Sequence, residues 1–94
     1  MSETVEGLTI SYHEDGVEKI KELDKALLAK GGAWVTMMFR YQEWDYKAEA
    51  YGPDKFAVRR YQKRNGAYQM RSKFNISNVE QAKKIIEILA GWTA

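Results

Sequence analysis

The sequence predicts an α+β fold: a twisted antiparallel sheet of three or four strands with two helices on one face, in the order β-α-β-β-β-α. Three observations predict it. The stretch 33–77 is dense in β-branched and aromatic residues with period-two alternation, the pattern of half-buried strands. Two other stretches, 17–30 and 79–91, repeat their apolar residues at helical spacing. Each of those opens on a capping-box pattern, which satisfies the orphan N–H groups of a helix start.

In chain order, Leu8–Tyr12 alternates and reads as a short first strand. Asp15 followed by Glu18 opens the first predicted helix, whose apolar face is Val17, Ile20, Leu23, Leu27 and Leu28. Gly31-Gly32 ends it, because glycine takes the left-handed cap without steric cost. Ala33 to Asp45 is a long strand, with Val35, Met37, Phe39 and Tyr41 on one face and Trp34, Thr36, Met38, Arg40, Gln42 and Trp44 on the other. A polar loop over 46–54 contains the only proline, Pro53. Lys55 to Lys63 is the next strand, with Phe56 and Val58 opposite Lys55, Arg59, Tyr61 and Lys63. The last strand places Tyr68, Met70, Phe74 and Ile76 on its apolar side and Gln69, Arg71, Lys73 and Asn75 on its polar side. Ser77 with Glu80 caps the second helix; its apolar face is Val79, Ala82, Ile85, Ile86 and Leu89, and Gly91 is its expected stop.

Asn65-Gly66 marks a hairpin. A two-residue loop there pairs Tyr61 with Met70 and Arg59 with Ser72, which mixes the basic and apolar faces. A three- or five-residue connection pairs Arg59 with Arg71 and Phe56 with Phe74 instead. One residue of slip moves every side chain to the other face, so an odd loop is expected, with Gly66 at positive φ. Arg60 then falls on the apolar face and is expected to reach its rim.

The chain has 94 residues, enough for a single domain, expected over 1–94 as an N-terminal strand and helix (7–32) followed by sheet and helix (33–91). It holds no apolar run long enough to span a bilayer, and its acidic start lacks the basic-then-apolar pattern of a secretory signal. Cysteine is absent, which removes thiolate chemistry and disulfides and fits a cytoplasmic protein. The net charge of +2 conceals an asymmetry. Residues 1–32 carry four Lys against seven acids, whereas 33–77 carry nine Lys or Arg against four. Between 55 and 77 there are seven basic residues and no acid, the footprint of a polyanion partner.

The polar face of the sheet is the candidate site. Cations there meet phosphates and aromatics stack on bases, the combination by which sheets hold single strands. Arg59, Tyr61, Lys63, Arg71, Lys73, Arg40, Trp34 and Trp44 are the expected ligand residues. Side-by-side Arg59 and Arg71 would suit a bridging phosphate. Catalysis finds little support: His13 is the only histidine and has no second ligand or nucleophile beside it. No phosphate loop or metal-ligand spacing is visible. The expectation is a binding protein rather than an enzyme, without metal, cofactor, small-molecule substrate or membrane partner.

Val58-Arg59-Arg60-Tyr61, then Gly66, then Ile76-Ser-Asn-Val-Glu-Gln81 ahead of an amphipathic helix resembles the transcriptional coactivator family called positive cofactor four, especially its bacterial members. The spaced tryptophans Trp34 and Trp44 are similar to that family's second strand. The resemblance covers roughly residues 33–91 and implies four strands followed by a helix, a homodimer, and single-stranded DNA gripped along the β-ridges by Arg59 and Tyr61. It departs from the family at Lys73-Phe74-Asn75, where Lys-Gly is usual, and in the extra helix expected at 17–30. The function expected is single-stranded DNA binding with little base specificity, in transcription regulation or DNA maintenance. Helix, three strands, helix is also the order of a double-stranded-RNA-binding domain, the first alternative. A protein-interaction module without nucleic acid is the second. Trp92, beyond the expected helix stop, also points to a homodimer that would bury it.

Overall fold

The computed structural model describes residues 3–94. Six strands form one antiparallel sheet: β1 (Tyr12–Glu14), β2 (Val17–Gly31), β3 (Trp34–Asp45), β4 (Ala50–Tyr51), β5 (Lys55–Arg64) and β6 (Ala67–Ile76). Among the described residues a single helix, α1 (Val79–Thr93), follows. The strand order is β1-β2-β3-β5-β6, with β4 folded back on the end of β3. The expected sheet with two helices on one face is therefore corrected to a larger sheet with one C-terminal helix.

The principal change is at 17–31. This stretch is the longest strand, not a helix, pairing with β1 on one side and β3 on the other. Asp15-Gly16 is a two-residue hairpin turn joining Glu14 to Val17, with φ of 52° and 79°. Positive φ at both central positions is what a type I′ turn demands and what Asp-Gly supplies. The Asp15–Glu18 spacing is thus a turn signal and not a cap. Two bulges interrupt β2, between Glu22 and Asp24 and between Leu27 and Ala29. Each adds one residue to β2 opposite a regular β3. The residues paired with buried β3 positions are Glu22, Lys25, Leu27 and Lys30, at spacings of three, two and three. Of the apolar residues at helical spacing only Leu27 belongs to this set, and Leu23 and Leu28 are the bulged residues, so the apolar period does not mark one buried face.

The β5–β6 hairpin has the two-residue loop, with Arg64 paired to Ala67, and not the odd loop expected. Asn65 and Gly66 take φ of 53° and 81°, so the expectation for Gly66 holds. The register conflict is relieved inside the strands instead. A bulge between Arg60 and Tyr61 leaves Tyr61 opposite Met70 but sets Arg60 opposite Ser72, Arg59 opposite Lys73 and Phe56 opposite Ile76. Arg71 is the extra residue.

One sheet face is covered. Val35, Met37, Phe39, Tyr41, Ala57, Tyr61 and Tyr68 are buried there beneath Leu8 and Ile10. The cover is therefore the N-terminal segment, not a pair of helices, and Leu8–Ser11 precedes the first strand instead of forming it. Each fully buried aliphatic side chain contributes about 1.5–3 kcal/mol. The opposite face, carrying Trp34, Met38, Arg40, Phe56, Val58 and Arg60, is open and half-exposed.

Asn78 caps α1: its side chain accepts from the Gln81 N–H at 2.7 Å, while Gln81 accepts from the Ser77 N–H at 2.8 Å. The helix continues through Gly91 to Thr93. None of its residues is buried; Trp92 is 80% exposed. The molecule is a thin slab, 43 × 39 × 17 Å, with a radius of gyration of 14.9 Å. A compact chain of this length would have about 12 Å. Among the described residues no helix is long and apolar enough to cross a membrane.

Candidate nucleic-acid interface

The eight residues expected to share one ligand face are divided between two. The β3–β5 register pairs Met37 with Arg59 and Val35 with Tyr61, so Arg59, Tyr61 and Lys63 lie on the covered face. Lys73, opposite Arg59, lies there too. Trp34, Arg40 and Trp44 lie on the open face, and the Arg71 Nε donates to Gln62 Oε1 at 3.1 Å on that side. Arg59 and Arg71 are consequently not neighbours, and the phosphate bridge expected of that pair is withdrawn. The register between β3 and β5 is set by the 46–54 connection, whose length does not dictate a parity.

Tyr61 is 2% exposed, too buried to stack on a base in this arrangement. Its hydroxyl and the Nε of Arg59 are both buried without a hydrogen-bond partner. A buried unsatisfied polar group costs about 1–3 kcal/mol. The Arg59 guanidinium lies 5.9 Å from the centre of the Phe39 ring, and the Lys63 ammonium 5.4 Å from that of Tyr68. Burial raises the Tyr41 phenol above its ordinary pKa.

Two further expected residues are engaged within the fold. Arg40 Nε donates to Asp54 at 2.6 Å, and Gln42 donates to the other oxygen at 2.8 Å. The Gln42 hydrogen bond, then Arg40, hold the Asp54 carboxyl below the usual aspartate range. This clamp ties the 46–54 connection to β3. Trp44 meets Tyr51 edge-on, ring centres 5.1 Å apart, and Tyr51 donates to the Glu18 carbonyl at 2.8 Å. Lys55 is paired with Glu43, which raises its pKa.

The open face presents a different cluster. Arg60 is exposed, and its guanidinium carbon lies 4.4 Å from the centre of the Trp34 ring. Gln62 stands opposite Trp34, with Arg71 attached to it. Among the described residues neither Arg60 nor Arg71 forms an ion pair. Sequence reasoning set Arg60 at the rim of the apolar face; the β3–β5 register puts it on the open one. At the other end of the same face, Met38, Val58 and Phe74 form an apolar row, Phe74 being 56% exposed. The open face is thus cationic toward the Asn65-Gly66 turn and apolar toward α1.

His13 is exposed and 3.4 Å from Glu18. Among the described residues no group of three or more His, Cys, Asp or Glu could hold a metal ion. Comparisons with protein-family models, curated proteins and solved structures found no match.

Proposed function

We propose that the protein binds single-stranded nucleic acid, DNA foremost, through the open face of its sheet, as a homodimer in the cytoplasm. Trp34 with Arg60 over it carries the reading. An indole offers a stacking surface that any base can use, and a guanidinium beside it supplies a phosphate contact. Gln62 and Arg71 extend the cluster along the β5–β6 hairpin. Stacking and phosphate contact are indifferent to base identity, so little sequence preference is expected. Service in transcription or DNA maintenance follows from the resemblance.

The dimer has its own support. The chain exposes 6606 Å², whereas a compact 10.9 kDa monomer exposes about 5,600 Å². The excess, about 1,000 Å², exceeds the roughly 800 Å² per partner of a standard interface. The apolar residues of α1, with Trp92 at its end, and the adjoining Phe74 supply the surface. Double-stranded RNA loses its topological basis as a ligand, because the helix it required at 17–30 is β2.

Fluorescence anisotropy with labelled single-stranded DNA, duplex DNA and duplex RNA, across a salt series, tests the reading. Single strands of different base composition are expected to bind alike and to weaken with salt. Silence from all three at low salt would refute it and leave a protein-interaction module.

A further inference from the structure

We infer that residues 3–11 are a displaceable acidic strap over a second, latent single-strand-binding surface on the covered face of the sheet. The inference rests on the single-strand reading above but concerns the opposite face.

Beneath the strap lie Phe39, Tyr41, Tyr61 and Tyr68, four aromatic rings on one sheet face. Around them stand Lys30, Arg59, Lys63 and Lys73, assigned to that face by the β2–β3, β3–β5 and β5–β6 registers. Among the described residues none of these four cations forms an ion pair. Aromatic rings interleaved with unpaired cations make a single-strand surface. Here it is sealed.

The seal is chemically suited to compete with a nucleic acid. Residues 3–11 carry Glu3 and Glu6 and no Lys or Arg. Glu3 and Glu6 line, with Lys30, Lys63 and Tyr68, a cavity of about 220 Å³. An acidic segment among these lysines occupies the place a phosphate backbone would take.

The attachment is limited. No backbone–backbone hydrogen bond joins residues 5–11 to a strand; the Ile10 N–H donates to Glu22 Oε1 and the Glu22 N–H to Ser11 Oγ, both at 3.4 Å. Leu8 and Ile10 are its apolar anchors. Lys25 donates to the carbonyls of Glu6 and Leu8 at 2.7 and 2.8 Å, and Glu22 accepts from the Thr9 hydroxyl at 2.7 Å. The closed arrangement also leaves the Tyr61 hydroxyl and the Arg59 Nε buried and unpartnered. A single strand in place of the strap would give each a partner: a base edge for the hydroxyl, a phosphate oxygen for the guanidinium.

Hydrogen exchange on the full chain, with and without saturating oligothymidylate, tests this. The hydrogen-bonded amides of Leu8 and Ile10 should lose protection on binding while β3 keeps its own, which separates strap release from unfolding. In parallel, the paired substitution Glu3→Gln and Glu6→Gln should bind oligothymidylate about two- to fivefold tighter, the size of exposed charge couplings. Leu8→Ala, which removes an anchor, should bind at least about tenfold tighter, because loosening the closed state favours the open one. Binding that leaves the Leu8 and Ile10 amides protected, or charge variants no tighter than the parent, overturns the strap and leaves the open-face reading intact. If neither the parent nor any variant binds, both readings fail together.

Discussion

Arg59 and Lys73 face each other across β5 and β6, two like charges in direct register on one face of the sheet. Opposed like charges destabilise an antiparallel pair. Lys73→Glu should therefore stabilise the ligand-free protein by about 0.2–1 kcal/mol. The measurement is the urea midpoint, at unchanged slope. An unchanged or lowered midpoint would mean that the pair is already neutralised by its surroundings.

Trp34 and Arg60 separate stacking from charge. Trp34→Ala should weaken single-strand binding by about 1–3 kcal/mol while leaving the salt dependence nearly as it was. Arg60→Gln should weaken binding and flatten the salt dependence, since one fewer counterion is released. Anisotropy titrations at several salt concentrations read both. If the two variants bind like the parent, the open face is not the interface.

The helix α1 should hold two copies together. Sedimentation at micromolar concentration should give twice the chain mass, and the paired substitution Ile86→Asp with Leu89→Asp should give the monomer. Both residues are exposed in the single chain, so the substitution leaves the sheet folded. A clean monomer from the parent would discard the dimer.

Asp54 gives a pH dependence of fixed sign. Its folded pKa is lowered by Gln42 and Arg40. The clamp's stabilisation is thus complete above the usual aspartate range and lost as pH falls through the lowered value. The side-chain amide signals of Gln42 should move together with the Arg40 Nε–H signal in an acid titration followed by nuclear magnetic resonance, below the usual aspartate midpoint. Asp54→Asn should remove that transition. Titration at the ordinary value would show that the clamp does not form.

Much of the sheet could be read from local pattern. The spans of β3, β5 and β6 follow from their alternation, and α1 from its period, because each is decided by neighbours in sequence; the cap is Asn78 with Gln81 and not the expected Ser77 with Glu80. What could not be read was relative register. The β3–β5 pairing places Arg59 beside Met37 and not beside Arg40, and only the folded 46–54 connection determines it. The Arg71 bulge likewise swaps the faces of half of β6: Tyr68 and Met70 point one way, Phe74 and Ile76 the other. The candidate site fared accordingly. Its chemistry was visible in the composition of 33–77, but its grouping failed. Arg60 does share its face with Phe56 and Val58, as expected; that face is the open one and not the covered one. Asp15 reads as a helix cap, although Asp15-Gly16 carries the sequence of a type I′ hairpin turn.

The two bulges of β2 bear on how the chain reaches this structure. Residues 17–30 are rich in Glu, Lys, Leu and Ala, which favour helix when no partner strand is present. Before β3 is available, that stretch is free to coil locally within microseconds, whereas the pairing that flattens it is slower. A transient helix must then melt as Leu27 finds Met37 and Lys25 finds Phe39. Stopped-flow circular dichroism should show ellipticity near 222 nm overshooting its native value early in refolding, then declining as the hairpin zips.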